Sequence, residues 1–176
     1  MNRQILMEAS MTRAFKGLEG LCRLLILAAF LLLSASVLVQ VFARTFLPSA
    51  PVWTEELTRF CLIYIGALGA GLALRSGDMV NVDLLCEALP GRGPWLMRLL
   101  SALLTAGFAV ALLTAAWDYT TIGARQTAPS LGWRMDFIYA SMLVLFGVLA
   151  LWSGMRVFEM LTGRHDGRPI PTQEDR

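Results

Sequence analysis

The sequence is poor in the side chains that bind haem and metals. It contains one histidine, His165, and three cysteines, none of them in a Cys-x-x-Cys pair. A four-helix membrane protein that carries b-type haem needs histidines inside its bundle, and isolated buried cysteines usually behave as small apolar side chains. Phosphate-binding loops, nucleophile elbows and HExxH zinc motifs are also missing. We therefore expect no catalytic residue, no cofactor and no bound metal in this chain.

Charge is also scarce, and it is unevenly distributed. Charged residues make up 16% of the chain and hydrophobic residues 56%, whereas a soluble domain has about 25% charged and about 45–50% apolar residues. Three stretches carry no charge: 20 residues between Arg23 and Arg44, 19 between Arg98 and Asp118, and 19 between Asp136 and Arg156. A membrane-spanning helix needs roughly 17–25 mostly apolar residues. Each of the three stretches is therefore long enough to cross a bilayer.

A fourth apolar segment lies between Arg59 and Arg75, where only fifteen residues are uncharged. Counted from Val52 it reaches 23 residues, which suffices if its first charges lie near the headgroups. We therefore predict an all-α membrane protein with four transmembrane helices, near residues 21–44, 52–75, 95–117 and 135–158. The predicted domains are a cytoplasmic N-terminal segment (1–20), a four-helix transmembrane domain (21–163) and a cytoplasmic polar tail (164–176).

The basic residues predict the orientation of these helices. If both termini are cytoplasmic, eleven of the fifteen basic residues lie on the cytoplasmic side, as the positive-inside rule requires. The net charge of +2 then reflects membrane orientation, and we expect no nucleic-acid partner. In the cytoplasmic loop, the apolar residues between Val80 and Leu89 could share one face, which predicts a short interfacial helix that ends at Pro90.

The centres of the predicted spans are almost free of charge. Ionisable groups inside the membrane are the usual marks of an ion or proton path. The sequence also has no internal repeat of the kind that builds inverted-repeat transporters. This chain alone is therefore not expected to form a pump or an ion-coupled carrier.

A charge cluster does occur at the start of the second predicted helix. Glu55 is four residues and Glu56 three residues before Arg59, spacings at which side chains meet on one helical face. The cluster could be an ion pair that satisfies itself, or one acid could bond to Arg59 while the other faces a partner protein. Two acids and one base leave an unbalanced carboxylate, which favours the partner.

Small residues follow in the same helix. Gly66/Ala70 and Ala67/Gly71 are pairs at i, i+4 spacing, which lets two helices approach closely. The neighbouring helix could belong to this chain or to a partner, and the sequence leaves both open. In the first helix, Gln40 could bond across helices, while Arg44 is expected to extend to the outer interface.

The order of these motifs resembles the small membrane subunit of tripartite ATP-independent periplasmic (TRAP) transporters, the DctQ-like family. The similarity covers most of the chain, and one departure is Met79, where the family often has a histidine. The matching motifs are Gln40-Val41, Arg44, Pro48 or Pro51, the Trp53 to Arg59 segment WTEELTR, the stretch Gly66 to Ala73, Arg75, Gly77, and Val80-Asn81-Val82-Asp83.

The resemblance implies a function that the residues alone do not. In this family a periplasmic protein captures a substrate, often an organic acid, and a large membrane subunit moves it inward with sodium. The small subunit braces the large one and helps dock the binding protein in a bacterial inner membrane. Sodium would bind the large subunit, and the lipid bilayer is the remaining partner. The implied partner-binding residues are Gln40, Arg44, Trp53, Glu55, Glu56, Arg59, Gly66, Ala70, Arg75 and Asp83.

Two alternatives stay open from the sequence. One is a membrane anchor subunit of a redox complex, which the single histidine disfavours. The other is a free-standing four-helix membrane protein, which would form a stable oligomer without a larger partner.

Overall fold

Four long helices account for nearly all of the described structure. The computed structural model describes residues 2–47, 51–76 and 93–162, with side chains for 17–47, 51–74 and 93–162. The helices are α1 (Asn2–Phe46), α2 (Trp53–Ser76), α3 (Gly93–Gly123) and α4 (Asp136–Leu161). Each contains a stretch long and apolar enough to cross a membrane: Gly17–Phe46, Trp53–Leu74, Gly93–Gly123 and Asp136–Leu161. The prediction of an all-α protein with four spans is confirmed.

The helices extend beyond the predicted spans, most of all in α1 and α3. α1 begins at Asn2 and α3 ends at Gly123, because charged and polar turns limit a membrane span but do not end a helix. The first twenty residues are rich in Glu, Arg, Ala, Leu and Met, which have high helix propensity. The predicted interfacial helix near 80–89 and the tail from Arg164 lie outside the described residues. The cytoplasmic placement of both termini stays a prediction.

The chain divides into two compact units, residues 1–69 and 70–176. In the first unit, the buried side chains of the apolar part of α1 are Cys22, Ser36 and Ala43, which share one face because they are separated by multiples of seven residues. The Ser36 hydroxyl donates to the Leu32 carbonyl at 2.8 Å, so its burial leaves no polar atom unsatisfied. Most of the leucines between Gly17 and Phe46 are exposed, as expected of a helix in lipid.

In the second unit, α3 packs against α4 through small residues. Apart from Arg98, the buried positions of α3 recur every seven residues, at Ala102, Ala109, Ala116 and Gly123. A seven-residue period keeps one stripe facing a neighbouring helix, and small side chains bring the two backbones close. Packing at short range replaces the hydrophobic effect, which is weak between helices in lipid.

The end of α2 also approaches α4 closely. Gly71 is buried, and a Cβ atom there would overlap the side chain of Val148 and lie 3.3 Å from Trp152 Cδ1. Only glycine fits without movement of the Val148 side chain. One of the two predicted small-residue pairs, Ala67/Gly71, is therefore buried within this chain, since Ala67 is only 5% exposed.

The loop between α3 and α4 is held by both helix ends. A Cβ atom at Gly123 would overlap the Tyr139 ring, which stacks on Tyr119 with 4.2 Å between ring centroids. The Tyr139 hydroxyl donates to Gln126 Oε1 at 2.9 Å. Within the loop, Ala128 N–H donates to the Trp133 carbonyl at 2.7 Å, and Gly132 has a φ of 65°, which glycine adopts at no steric cost.

Candidate partner-binding site

Two polar side chains lie near the C-terminal end of α1. Gln40 and Arg44 are one helical turn apart, so both project from the same face of α1. Gln40 is half-buried and Arg44 is exposed. They are the most polar groups in the second half of the Gly17–Phe46 span, and a charged or amide group in such a position requires a hydrogen-bonding partner.

The start of α2 is fixed by a short turn. The Thr54 hydroxyl donates to the Pro51 carbonyl at 2.7 Å, and Thr54 is fully buried. The Glu55 backbone N–H donates to the Val52 carbonyl at 3.2 Å. These bonds satisfy backbone groups that would otherwise have no partner at a helix start, and they place Glu55 in the first turn of α2.

Glu55 joins the two helices. Its Oε1 atom accepts hydrogen bonds from Gln40 Nε2 at 2.9 Å and from Arg44 Nη2 at 2.6 Å. The Arg44 contact is also an ion pair, with side chains 63% and 46% exposed for Arg44 and Glu55. The prediction that Gln40 bonds across helices is therefore confirmed.

Arg44 is 63% exposed and pairs with Glu55, and its extension to the outer interface stays a prediction. The expected pairing of Arg59 with an acid of its own helix was wrong. Arg59 pairs with neither Glu55 nor Glu56: its side chain is exposed and makes no hydrogen bond or ion pair to any residue that the structure describes. The physical reason is the short connection between α1 and α2, which brings Arg44 beside Glu55 and removes that acid from Arg59. The unshared charge is a base rather than the expected carboxylate.

We call Gln40, Arg44, Glu55, Glu56 and Arg59 the polar cluster. Glu56 is half-buried and is engaged in an interaction of its own. The structure thus brings three of the five residues into direct contact and leaves Arg59 on the surface. An arrangement of this kind can hold two helices together and recognise an opposite charge.

The other candidate residues are spread along α2. Trp53 is 41% exposed at the helix start, Gly66 is exposed and Ala70 is half-buried. Arg75 lies in the last turns of α2, with its side chain outside the described part, and Asp83 lies outside the described residues. Whether any of them contacts a partner stays a prediction.

Within 2–47, 51–76 and 93–162, no group of three or more His, Cys, Asp or Glu side chains could hold a metal ion. Cys22 and Cys61 are buried free thiols far apart in sequence. The polar cluster itself offers two carboxylates, one amide and two guanidinium groups, which suit recognition of charge rather than bond-making chemistry.

Sequence reasoning missed Thr54, the residue that fixes the entry to α2. The signal available was its position three residues after Pro51, at the start of an apolar helix, where Ser and Thr often bond to nearby backbone groups. Its complete burial depends on tertiary packing and has no signature in the local sequence.

Comparison with known proteins gives a family match over most of the chain. The family described as "Tripartite ATP-independent periplasmic transporters, DctQ component" matches residues 33–163. That range includes the polar cluster and all or part of each of the four helices. It ends at Gly163, just after α4.

Individual relatives agree with this match. A putative TRAP transporter small permease protein of Haemophilus influenzae (strain Rd) is 28% identical over 134 residues, 76% of this chain and 80% of that protein. An isethionate TRAP transporter permease protein, DctMQ, of Oleidesulfovibrio alaskensis is 27% identical over 118 residues, 66% of this chain and 18% of that protein.

A third relative matches a shorter segment. The sialic acid TRAP transporter permease protein SiaT of Haemophilus influenzae (strain 86-028NP) is 30% identical over 61 residues, which is 35% of this chain. The aligned part is 10% of SiaT and 18% of the isethionate permease, so this chain corresponds to a small part of both.

Proposed function

Because this chain belongs to the DctQ family of TRAP transporter components, we propose that it braces a large permease subunit and helps dock a periplasmic binding protein during sodium-driven uptake of an organic acid. The chain is a small permease subunit with four membrane-spanning helices, and it is a transport component rather than an enzyme. The family match over residues 33–163 is the observation that carries the proposal. It favours the transporter subunit over a redox anchor or a free-standing protein.

The large partner is inferred from the lengths of two relatives. The aligned segment is 18% of the isethionate permease, which is therefore more than five times as long as the segment. SiaT is about ten times as long as its own aligned segment. The 176 residues with four spans correspond to only that small part of those permeases. We propose that a large membrane subunit carries the sodium and substrate sites.

The same relatives support the proposed substrate class. One is named for sialic acid and the other for isethionate, and both substrates are organic acids that are anionic at neutral pH. We propose that this chain serves uptake of a compound of that class across a bacterial inner membrane. Choice among organic acids would lie in the binding protein and the large subunit.

The role in docking is proposed from the exposed ends of the helices. Trp53, Arg44 and Glu55 lie at the α1–α2 end with substantial exposure, in reach of water or a protein. With both termini cytoplasmic, this end faces the periplasm. Fusions of a periplasm-active enzyme at the two chain termini test that orientation, since they should be inactive, whereas a fusion after Phe46 should be active.

Deletion and co-purification test the function itself. Cells that lack this chain should lose sodium-dependent uptake of the organic acid, and an affinity-tagged chain should bring the large permease subunit with it. Dissipating the sodium gradient in complemented cells is the matched control and should abolish uptake without changing co-purification. Unchanged uptake after deletion would overturn the proposal.

A further inference from the structure

An exposed arginine lies inside the second spanning helix. Arg59 comes six residues after Trp53, which places it about 9 Å along α2 at 1.5 Å per residue. The span continues to Leu74, so this position lies within it rather than at its start. A charge inside a membrane segment is costly, and such residues almost always face a partner or a polar cavity.

The nearest acids do not neutralise Arg59. Glu55 is taken by Arg44 and Gln40, and Arg59 makes no ion pair or hydrogen bond to any of the described residues. Its charge therefore has to be met from outside the described part of this chain.

The surface around Arg59 has a defined composition. Residues three, four and seven positions further along share its helical face, and these are Leu62, Ile63 and Gly66. Leu62 is 60% exposed and Ile63 is 37% exposed. A Cβ atom added at Gly66 would meet nothing within 4 Å. We call these four residues the Arg59 face.

We propose that the Arg59 face binds a transmembrane helix of the large permease subunit, and that a carboxylate of that subunit lies opposite Arg59. The inference rests on the proposed function and assigns the contact surface and its charge. The open glycine admits a helix backbone at close range, while the arginine supplies a charge-assisted bond that is strong where water is excluded.

A lipid phosphate is the competing occupant. Side chains of a helix lean toward its N-terminus, so Arg59 can extend toward the headgroups at the Trp53 end. A lipid held in this way makes no use of Gly66, which lies two turns deeper. A protein helix uses both the charge and the open glycine. The relatives that this chain matches over 10% and 18% of their length have a large remaining polypeptide, which is the proposed source of such a helix.

Photo-crosslinking distinguishes the two occupants. The full chain, co-expressed with its large permease subunit, carries a benzophenone amino acid in place of Leu62, or in place of Leu104 of α3 as the control. Leu104 is similarly exposed, at 65%, but lies on another helix. The probe at Leu62 should yield a covalent adduct with the large subunit. An adduct only with lipid, or the same yield at Leu104, would overturn the proposal.

Substitutions test the charge and the glycine separately. Arg59→Gln should lower the amount of large subunit recovered with the tagged chain by about tenfold or more, as for truncation of one member of a buried charge pair. Arg59→Lys should recover more than Arg59→Gln does. Gly66→Leu should also reduce recovery, whereas Gly107→Leu, at an equally open and exposed glycine of α3, should not.

The two proposals fail in different ways. If the wild-type chain does not co-purify with a large permease subunit, the proposed function is wrong. If it co-purifies normally with Arg59→Gln and Gly66→Leu in place, the function stands and the Arg59 face is the wrong surface. Recovery that depends on anionic lipid in the wild-type chain but not in Arg59→Gln, with no adduct to protein at Leu62, identifies the lipid as occupant and overturns the proposal.

Discussion

The Arg44 guanidinium and the Glu55 carboxylate lie 2.6 Å apart and join the end of α1 to the start of α2. The pair spans a connection of only a few residues, so it fixes how the chain leaves one helix and enters the next. Gln40 adds a second donor to the same oxygen atom at 2.9 Å. A carboxylate that accepts two donors is held in one orientation, which suits a surface that must present a constant shape to partners.

Charge reversal at this pair should be destabilising in either single variant and repaired in the double variant. Arg44→Glu and Glu55→Arg each place like charges together, while the double reversal restores attraction. Because both side chains are partly exposed, we expect a coupling free energy of about 0.5–1 kcal/mol. Thermal melting of the purified chain in detergent measures it. A double variant no more stable than either single variant would contradict the assignment.

The Arg23–Glu19 pair supplies the matched control for that experiment. It is an ion pair of 2.8 Å at i, i+4 spacing within α1, so it joins no second helix. Reversing it should change the melting temperature little, since such pairs contribute about 0.3–0.5 kcal/mol.

Gly71 should not tolerate a larger side chain. A Cβ atom there overlaps Val148 and approaches Trp152, so Gly71→Leu should cost about 1–3 kcal/mol through overpacking. Val148→Ala in the same chain should recover part of the loss. Gly69→Leu is the control in the same helix, because a Cβ atom at Gly69 meets nothing within 4 Å. Equal losses at the two glycines, measured by denaturant unfolding in detergent, would argue against the close approach of α2 to α4.

The seven-residue stripe of α3 should be sensitive to side-chain size. Ala109 is 1% exposed in the packing surface with α4, whereas Ala115 of the same helix is exposed. Ala109→Leu should therefore separate the two helices and destabilise the chain by about 1–3 kcal/mol, and Ala115→Leu should be nearly neutral. Comparison of the two melting curves checks this. The reverse order of sensitivity would mean that α3 presents a different face to α4.

Order in the α3–α4 loop should depend on Gly123 and Tyr139. Gly123→Ala forces the new methyl group into the Tyr139 ring, and Tyr139→Phe removes the hydrogen bond to Gln126. We expect amide hydrogen exchange in residues 124–135 to accelerate in both variants, about fivefold or more for a loss near 1 kcal/mol. Gly107→Ala serves as the control because its surroundings are open. Exchange unchanged in both variants would show that these contacts do not order the loop.

The spans could be predicted from the sequence because their signal is local. A charge-free run of about twenty residues is rare in soluble proteins. The shorter run after Arg59 is long enough to span only if the helix starts at Val52 and its first charges lie near the headgroups. Helix ends were harder to predict, since nothing in the residues before Gly17 favours a break in the helix at the membrane boundary. Helix propensity continues through that segment, and α1 continues with it.

The polar cluster shows where local reasoning stops. Glu55 has an arginine four residues away on its own helix and another on α1, and isolated ion pairs of either kind differ little in energy. The choice between Arg59 and Arg44 depends on how α1 approaches α2, which is a tertiary relationship. Spacing rules alone therefore paired Glu55 with the wrong arginine.

The packing stripe of α3 was available in the sequence and was overlooked. Ala102, Ala109, Ala116 and Gly123 form a strict seven-residue repeat of small residues. A repeat of that length predicts which side of a helix meets its neighbour. In an apolar helix, the period of the small residues indicates which side packs against a neighbour, as the pattern of polar and apolar residues does in a soluble helix.

The length of α1 has a mechanical consequence. Its 45 residues correspond to a rod of about 67 Å at 1.5 Å per residue, whereas a hydrocarbon core is about 30 Å thick. The portion before Gly17 adds about 22 Å of helix outside the candidate span. A tilt of the membrane portion is transmitted along a continuous helix to this extension. A change in the tilt of α1 within the bilayer therefore also displaces its N-terminal extension.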